Sequence, residues 1–355
     1  MEHIPVIIPS YEPDERLLAL IEELQKLHLE IVVVNDGSGS AYDGIFQNLS
    51  SRGVTVLHHA VNQGKGRALK TAFNYCLLRD PKLVGCVTAD SDGQHLPEDI
   101  VRCGKALSQH TNCLVLGCRD FDDAAVPSKS RYGNKVTRVV FGYVCGLKMT
   151  DTQTGLRGIP TQFMKELLVV SGERFEFETN MLIASKDNYP IEEIKINTVY
   201  DSKENHATHF DPIKDSIQIY RILGKIFLKF IISSLSASVI DLSLFTVFCA
   251  LLRERAGYIL VATALARIIS ASYNYIINYK IVFGSEEQHR KSTVKYIVLA
   301  FIQGTLSAVL VTSMVMLLGA QIEVLVKIVV DTLLFIISFY IQREFVFRKK
   351  PTAEK

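Results

Sequence analysis

The sequence predicts an α/β domain with a mostly parallel sheet, followed by an amphipathic interfacial helix and a four-helix transmembrane domain. Three observations carry this. Up to about residue 225, short apolar runs rich in β-branched residues alternate with segments of helical periodicity. Those runs do not alternate with polar residues, which is the pattern of strands buried on both faces of a parallel sheet. Beyond residue 225 come four apolar stretches, each near the roughly 20 residues that a helix needs to cross a bilayer.

In order, residues 4–8, 31–34, 54–57, 83–87 and 113–117 read as strands, and 15–27, 64–78 and 97–107 as the helices between them. Open sheets of this kind bind ligands beyond the carboxyl ends of their strands. The polar turns lie there: Pro9-Ser10-Tyr11-Glu12-Pro13, Asn35-Asp36-Gly37-Ser38 and Asp90-Ser91-Asp92-Gly93-Gln94-His95. The first turn has no glycine, which excludes a dinucleotide fingerprint. Residues 62–67 lack the upstream glycine and the hydroxyl of a P-loop.

The chain has 355 residues, with 39 Lys and Arg against 37 Asp and Glu, a net charge of +2. That balance lacks the basic excess of a nucleic-acid binder, so no nucleic-acid partner is expected. Seven cysteines are scattered without C-x-x-C or zinc spacing, six of them before residue 225, and read as reduced thiols facing a cytosol. Residues 1–5 carry neither a basic nor an apolar signal region, so no cleaved leader is expected.

Asp90, Asp92 and Gln94 put three oxygen donors on alternating positions of one turn, a ligand set suited to Mg²⁺ or Mn²⁺ that also holds substrate phosphates. A D-x-D alone is as easily a solvated turn. Here it follows a buried strand and faces two other polar strand-end turns. Asp36 reads equally as an Asx-turn residue. Gly64 and Gly66 permit close backbone approach at a helix start, with Lys65 placed to meet a phosphate.

The first 210 residues or so resemble glycosyltransferase family 2 enzymes of the GT-A fold, of the polyprenyl-phosphate sugar transferase type. Pro9-Ser10-Tyr11 is similar to the start of that family's Pro-x-Tyr-Asn-Glu, and Asn35-Asp36-Gly37-Ser38 to its Asp-Asp-Gly-Ser. Asn62-x-Gly64-Lys65-Gly66-x-Ala68-Leu69, Asp90-x-Asp92-x-Gln94, Leu116-Gly117-Cys118-Arg119, Arg131 and Asp151-Thr152-Gln153-Thr154-Gly155-Leu156-Arg157 continue the series in order. Two stretches depart. The family's Glu falls on Pro13, leaving Glu12 as its substitute, and the late basic loop is replaced by residues 201–210 with His206 and His209.

The resemblance implies a nucleotide-sugar site at Pro9, Tyr11, Glu12, Asp36, Lys65 and Asp90, with Asp36 reading the base or ribose. It implies a metal at Asp90, Asp92 and Gln94, and an acceptor phosphate at Arg119, Arg131 and Lys135. Catalytic roles fall to Asp92, Arg119, Arg131 and Asp151, while Arg138, Arg157 and His209 are secondary candidates, Arg138 serving equally as an interfacial cation. A phosphate acceptor is already an anion, with a second pKa of about 6, so no general base is required. Arginines suit the acceptor phosphate.

Residues 211–226 read as a basic amphipathic helix lying in the membrane interface, with Ile213, Ile217, Tyr220 and Leu223 on one face and Lys214, Gln218, Arg221 and Lys225 on the other. The spans follow near 227–252, 257–283, 294–318 and 324–347. Lys280, Arg290, Lys291, Lys295 and Arg348–Lys350 mark one side as basic, which places both termini and the first domain in the cytosol. Residues 227–350 resemble the four-helix GtrA-like membrane domain, with Tyr275-x-x-Asn278-Tyr279-Lys280-x-x-Phe283 and Arg343-x-Phe345-Val346-Phe347 carrying the likeness. Asp241, Arg267, Lys327 and Asp331 fall inside the spans, where charge is costly and seeks a partner. Lys327 and Asp331 share a helical face, leaving Asp241 to meet Arg267 across helices.

The expectation is an inverting, membrane-bound glycosyltransferase that moves a sugar from a nucleoside diphosphate to undecaprenyl or dolichyl phosphate. UDP-glucose or UDP-N-acetylglucosamine is the first choice of donor and GDP-mannose the second. The partners are the donor, the lipid phosphate and the bilayer; the sequence leaves a homo-oligomer open. A processive polysaccharide synthase is disfavoured, since its Gln-x-x-Arg-Trp needs a tryptophan and the chain has none. A translocator of lipid-linked sugar is the rival from another class.

Overall fold

The computed structural model describes residues 3–121, 128–197, 214–254, 256–285, 287–318 and 323–347. They fall into two compact units, one up to Ile222 and one from Leu223. In the first, seven strands form one sheet: β1 (Val6–Ser10), β2 (Ile31–Asn35), β3 (Thr55–His58), β4 (Gly85–Thr88), β5 (Leu114–Arg119), β6 (Arg157–Pro160) and β7 (Ile191–Ile196). Their spatial order is β3-β2-β1-β4-β6-β5-β7. Only β6 runs against its neighbours, pairing antiparallel with both β4 and β5. Every residue of β1 and β2 is buried, because Val6–Ile8 and Ile31–Val34 meet helices on both faces.

Helices α1 (Glu15–Lys26), α2 (Asp43–Ser51), α3 (Lys65–Arg79) and α4 (Pro97–Gln109) supply those covers. The side chain of Asp14 caps α1 by accepting the Arg16 N–H, and Leu17, Leu20, Ile21 and Leu24 form its buried stripe. Pro97 opens α4 with Glu98 and Asp99 in the first turn, where the helix dipole favours acids. Further along come α5 (Ser128–Cys145), α6 (Thr161–Leu167) and α7 (Glu176–Ser185). None of the seven cysteines forms a disulfide, and burial pushes the Cys76 and Cys103 thiols up to about 12. These are packing residues, as expected.

The sequence pattern misses β6 and β7. Arg-Gly-Ile-Pro in β6 has no β-branched run, and Ile-Glu-Glu-Ile-Lys-Ile in β7 is an edge strand whose charges guard against pairing with other chains. β6 matters for function because its reversed direction brings Arg157 to the carboxyl end of β4, opposite Thr88.

Helix α8 (Lys214–Leu252) belongs to the second unit from Leu223 onward, and α9 (Tyr258–Ile277), α10 (His289–Leu318) and α11 (Glu323–Ile341) lie within it. The stretches Gly224–Leu252, Tyr258–Val282, His289–Leu317 and Leu325–Val346 are long and apolar enough to cross a membrane. Of the segment 211–226 expected as an interfacial helix, residues 214–226 form the start of α8.

An internal repeat relates α9 to α11. The buried positions of α9 and its last turn are Ala262, Ala266, Ser270, Asn274, Asn278 and Val282. In α11 and its last turn Val326, Val330, Leu334, Ser338, Gln342 and Val346 form the same four-residue stripe, with Phe339 and Arg343 also buried. Both helices end in a π turn, at Asn278–Val282 and Gln342–Val346, and both turns close on a phenylalanine. Corresponding residues touch: Asn278 Nδ2 donates to Gln342 Oε1 across 64 positions at 3.0 Å, and Phe283 stacks on Phe347 at 5.4 Å. Contact between equivalent residues places a pseudo-twofold axis between these two helices.

The charges within the apolar spans pair as expected, although Arg267 and Lys327 are themselves largely exposed. Lys327 Nζ lies 2.9 Å from Asp331, and Arg267 lies 3.4 Å from Asp241, which also accepts from Ser270 Oγ at 2.7 Å. Asp241→Asn should lower the melting temperature in detergent, and adding Arg267→Gln should recover part of that loss. Strictly additive losses would show that the two side chains do not interact.

Candidate active site

Beyond the carboxyl ends of β1, β2, β4 and β5 lies a cavity of about 440 Å³, within the range of small-molecule sites. It gathers the strand ends: Pro9 and Ser10 at the end of β1 with Tyr11 after it, Asp36 after β2, Lys65 at the start of α3, and Asp90, Asp92 and Gln94 after β4. Arg119 from β5 and Arg157 from β6 reach the same space. Pro9, Tyr11, Asp36, Lys65, Asp90, Asp92, Gln94, Arg119 and Arg157 of the sequence candidates are thus brought together. Glu12, Arg131, Lys135, Arg138 and Asp151 are not among the cavity's lining residues.

Lys65 Nζ sits 2.6 Å from Asp90 Oδ1 and 3.0 Å from Glu178 Oε2. Burial works against the ammonium, but the Asp90 and Glu178 carboxylates more than offset it and raise its pKa. Desolvation likewise opposes the charge of Asp90, yet Lys65 and His95 hold its carboxyl well below the usual range. Asp92 goes the other way: desolvation, and then the Asp90 charge, push it up. Two acids that repel each other while lining one cavity are a donor pair whose charge a divalent cation would offset. Two carboxylates and the Gln94 amide, with further oxygens from water or phosphate, fit Mg²⁺ or Mn²⁺. No group of three or more His, Cys, Asp or Glu arranged for a metal occurs among the described residues, so the amide and the substrate would complete the shell.

Asp36 is committed to the protein. Its oxygens accept the N–H groups of Gln63 (2.9 Å) and Gly64 (2.7 Å), and His59 Nδ1 lies 2.7 Å from Oδ1. Asp36, expected to read the base or ribose, lines the cavity and also shapes the 62–64 turn, in which Gly64 takes φ +99°. Nearby, Glu12 also has positive φ, with its N–H bonded to Ser38 Oγ at 2.8 Å; its side chain is exposed.

Asp151, expected as catalytic, is fully buried away from the cavity. It grips the Arg119 guanidinium at 2.7 Å and 3.1 Å and accepts the Gln153 N–H at 3.0 Å. These contacts hold Arg119 at the cavity wall. Arg157 is 1% exposed, donating to the carbonyls of Thr154 and Glu178. It ties β6 to α7 and so helps hold Glu178 in place. Arg131, Lys135 and Arg138 lie on exposed positions of α5. His209 lies outside the described residues.

Sequence reasoning missed Glu178, Arg174, Phe175 and His95. Glu178 stands in Phe175-Glu176-Phe177-Glu178, and two acids in the first turn of a helix were a readable helix-start signal that says nothing about a cavity. His95 is buried behind the metal turn, its Nε2 3.4 Å from Asp90 Oδ2.

Residues 6–167 match the family model for glycosyl transferase family 2, and residues 229–350 that for the GtrA/DPMS transmembrane domain. An uncharacterized protein of Methanocaldococcus jannaschii is 29% identical over 205 residues, covering 56% of this chain and 82% of its own length. A UDP-N-acetylglucosamine–dolichyl-phosphate N-acetylglucosaminyltransferase of Methanococcus voltae is 27% identical over 223 residues, covering 56% of this chain and 86% of its own. The glucosyl-3-phosphoglycerate synthase of Mycobacterium tuberculosis, solved with Mn²⁺, UDP-glucose and phosphoglyceric acid, is 16% identical with a TM-score of 0.44, covering 62% of this chain and 76% of that one.

Proposed function

We propose that this chain, whose residues 6–167 match glycosyl transferase family 2 and residues 229–350 the GtrA/DPMS transmembrane domain, transfers a sugar from a nucleoside diphosphate to a polyprenyl phosphate, with inversion at the anomeric carbon. The observation that carries this reading is one cavity that gathers Asp90, Asp92, Gln94, Lys65 and an arginine gripped by a buried aspartate. An anionic donor and an anionic acceptor must meet there, and the wall supplies charge for both.

Asp90, Asp92 and Gln94 would hold Mg²⁺ or Mn²⁺, whose chemistry is to neutralise the charge that builds on the leaving diphosphate. Lys65 adds a second positive charge on the diphosphate side. The nucleoside occupies the Pro9–Tyr11 end of the cavity. Arg119, locked by Asp151, presents a bidentate donor to the acceptor phosphate, with Arg131 and Lys135 on α5 guiding the lipid headgroup. The acceptor oxygen is already ionised and attacks from the face opposite the diphosphate, which inverts the configuration without a general base.

The name of the Methanococcus voltae relative supports UDP-N-acetylglucosamine among the donors considered. The chain is a multi-pass membrane protein, and the basic residues Lys280, Arg290, Lys291 and Lys295 support a cytosolic catalytic domain and cytosolic termini.

The test is incubation of the purified protein with labelled UDP-glucose, UDP-N-acetylglucosamine or GDP-mannose, a polyprenyl phosphate and a divalent cation. One donor should give a sugar lipid; transbilayer movement of sugar lipid without its synthesis would contradict the reading. Arg131→Ala should raise the KM for the lipid phosphate by about tenfold to a hundredfold, the worth of a charge-assisted contact. A change confined to the donor KM would put Arg131 on the other substrate.

A further inference from the structure

We propose that Glu178 is the residue that reads the hydroxyl groups of the transferred sugar, so that this carboxylate sets which sugar the enzyme accepts. The inference rests on the cavity being the nucleotide-sugar site.

The strand order orients the donor. From β2 through β1 to β4, and then to β6 and β5, the cavity passes from Asp36 and Pro9–Tyr11 to Asp90 and Asp92, and then to Arg157 and Arg119. A nucleoside at the first end and a diphosphate over the β4 turn leave the sugar on the β6 and β5 side. Glu178 stands there, lining the cavity with its side chain 13% exposed. Its carboxylate is fixed between two cations, Lys65 Nζ at 3.0 Å and Arg157 Nη2 at 3.8 Å, and its own backbone carbonyl accepts from Arg157 Nη1 at 2.8 Å.

The chemistry of the group suits the task. Sugar hydroxyls are donors that need acceptors, and an ionised carboxylate is acceptor-only and takes two hydroxyls at once. Asp90 and Asp92 are assigned to the cation, and Asp36, which accepts two backbone amides, stands after β2 at the nucleoside end of the cavity. Beside Glu178, Phe175 lines the cavity and offers an apolar face to the C–H side of a sugar ring. A buried acceptor left without its hydroxyl is costly, so a site built this way rejects a sugar that lacks the hydroxyl or points it elsewhere.

The experiment pairs a protein change with a substrate change in the full-length enzyme. Wild type and Glu178→Gln are assayed with the preferred sugar nucleotide and with its 2-, 3-, 4- and 6-deoxy analogues, and binding of the nucleoside diphosphate alone is measured by calorimetry. At least one deoxy donor should lose about tenfold to a hundredfold in kcat/KM with wild type and almost nothing further with Glu178→Gln. Binding of the nucleoside diphosphate should hold or tighten in the variant, since an acid beside the diphosphate lysine has been neutralised. Equal loss for every deoxy donor in both proteins, or a parallel loss of nucleoside diphosphate binding, overturns the proposal and leaves Glu178 as an anchor for Lys65 and Arg157. Should Glu178→Gln unfold, Glu178→Asp carries the same comparison. A wild-type protein that binds no nucleoside diphosphate would instead refute the underlying reading of the cavity.

Discussion

Asp92→Asn is expected to lower sugar transfer by roughly a thousandfold or more, since a divalent cation acting on the leaving diphosphate contributes several kcal/mol to the transition state. Asparagine keeps the shape and the Gln94 N–H acceptor, seen at 3.1 Å from Asp92 Oδ1, but removes one of the two charges facing the cation. Asp90 cannot compensate, because Lys65 already sits 2.6 Å from it. Mn²⁺ affinity measured by electron paramagnetic resonance should fall in parallel, while the melting temperature holds or rises: desolvation and the Asp90 charge strain the Asp92 carboxylate in the folded state. Full turnover in excess chelator would remove the cation from the account.

Gly155→Ala is expected to be nearly as damaging, for a steric reason. A Cβ at Gly155 would stand 2.3 Å from Asp90 Oδ2 and 2.7 Å from its Cγ, so the carboxylate must leave its place. Thr88 Oγ1 donates to the Gly155 carbonyl at 2.8 Å and keeps the backbone from yielding. Transfer should fall at least about a hundredfold, with a stability loss of about 1–3 kcal/mol typical of overpacking. Ordinary activity in the alanine variant, with an unchanged melting curve, would show that Asp90 has room to move and is not held for a cation.

These two positions mark how far the sequence could be read. The turns after β1, β2 and β4 were legible because each follows a buried apolar strand immediately, so that strand position alone aims Ser10, Asp36 and Asp90 at one place. Asp36 shows the limit of that logic. Its placement was right, but only the folded chain reveals that its oxygens are taken by the amides of residues 63 and 64. Asp151 likewise sits in a recognisable motif yet is buried behind Arg119, and no spacing rule separates a residue that touches substrate from one that holds its neighbour. Glu178 could not be found at all, since the contact that defines it joins α7 to Lys65 more than a hundred residues earlier. In the membrane unit the charge pairs followed from helical spacing and the cost of lone charge, whereas the repeat between α9 and α11 is carried by burial and by matching π turns. Only Ile277, Val282 and Phe283 are repeated identically at the 64-residue offset, as Ile341, Val346 and Phe347, too few to mark a repeat in the sequence.

The central claim is that an already ionised lipid phosphate attacks the donor without help from a base. It is tested most directly by offering the purified protein, its preferred nucleotide sugar and a divalent cation either polyprenyl phosphate or the corresponding polyprenol, and by weighing the lipid product by mass spectrometry. The account predicts a polyprenyl-phosphate monosaccharide, with one nucleoside diphosphate released per sugar transferred, and no product from the alcohol. Sugar transfer to the polyprenol at a comparable rate, or growth of a sugar chain with no lipid-phosphate product, would contradict it.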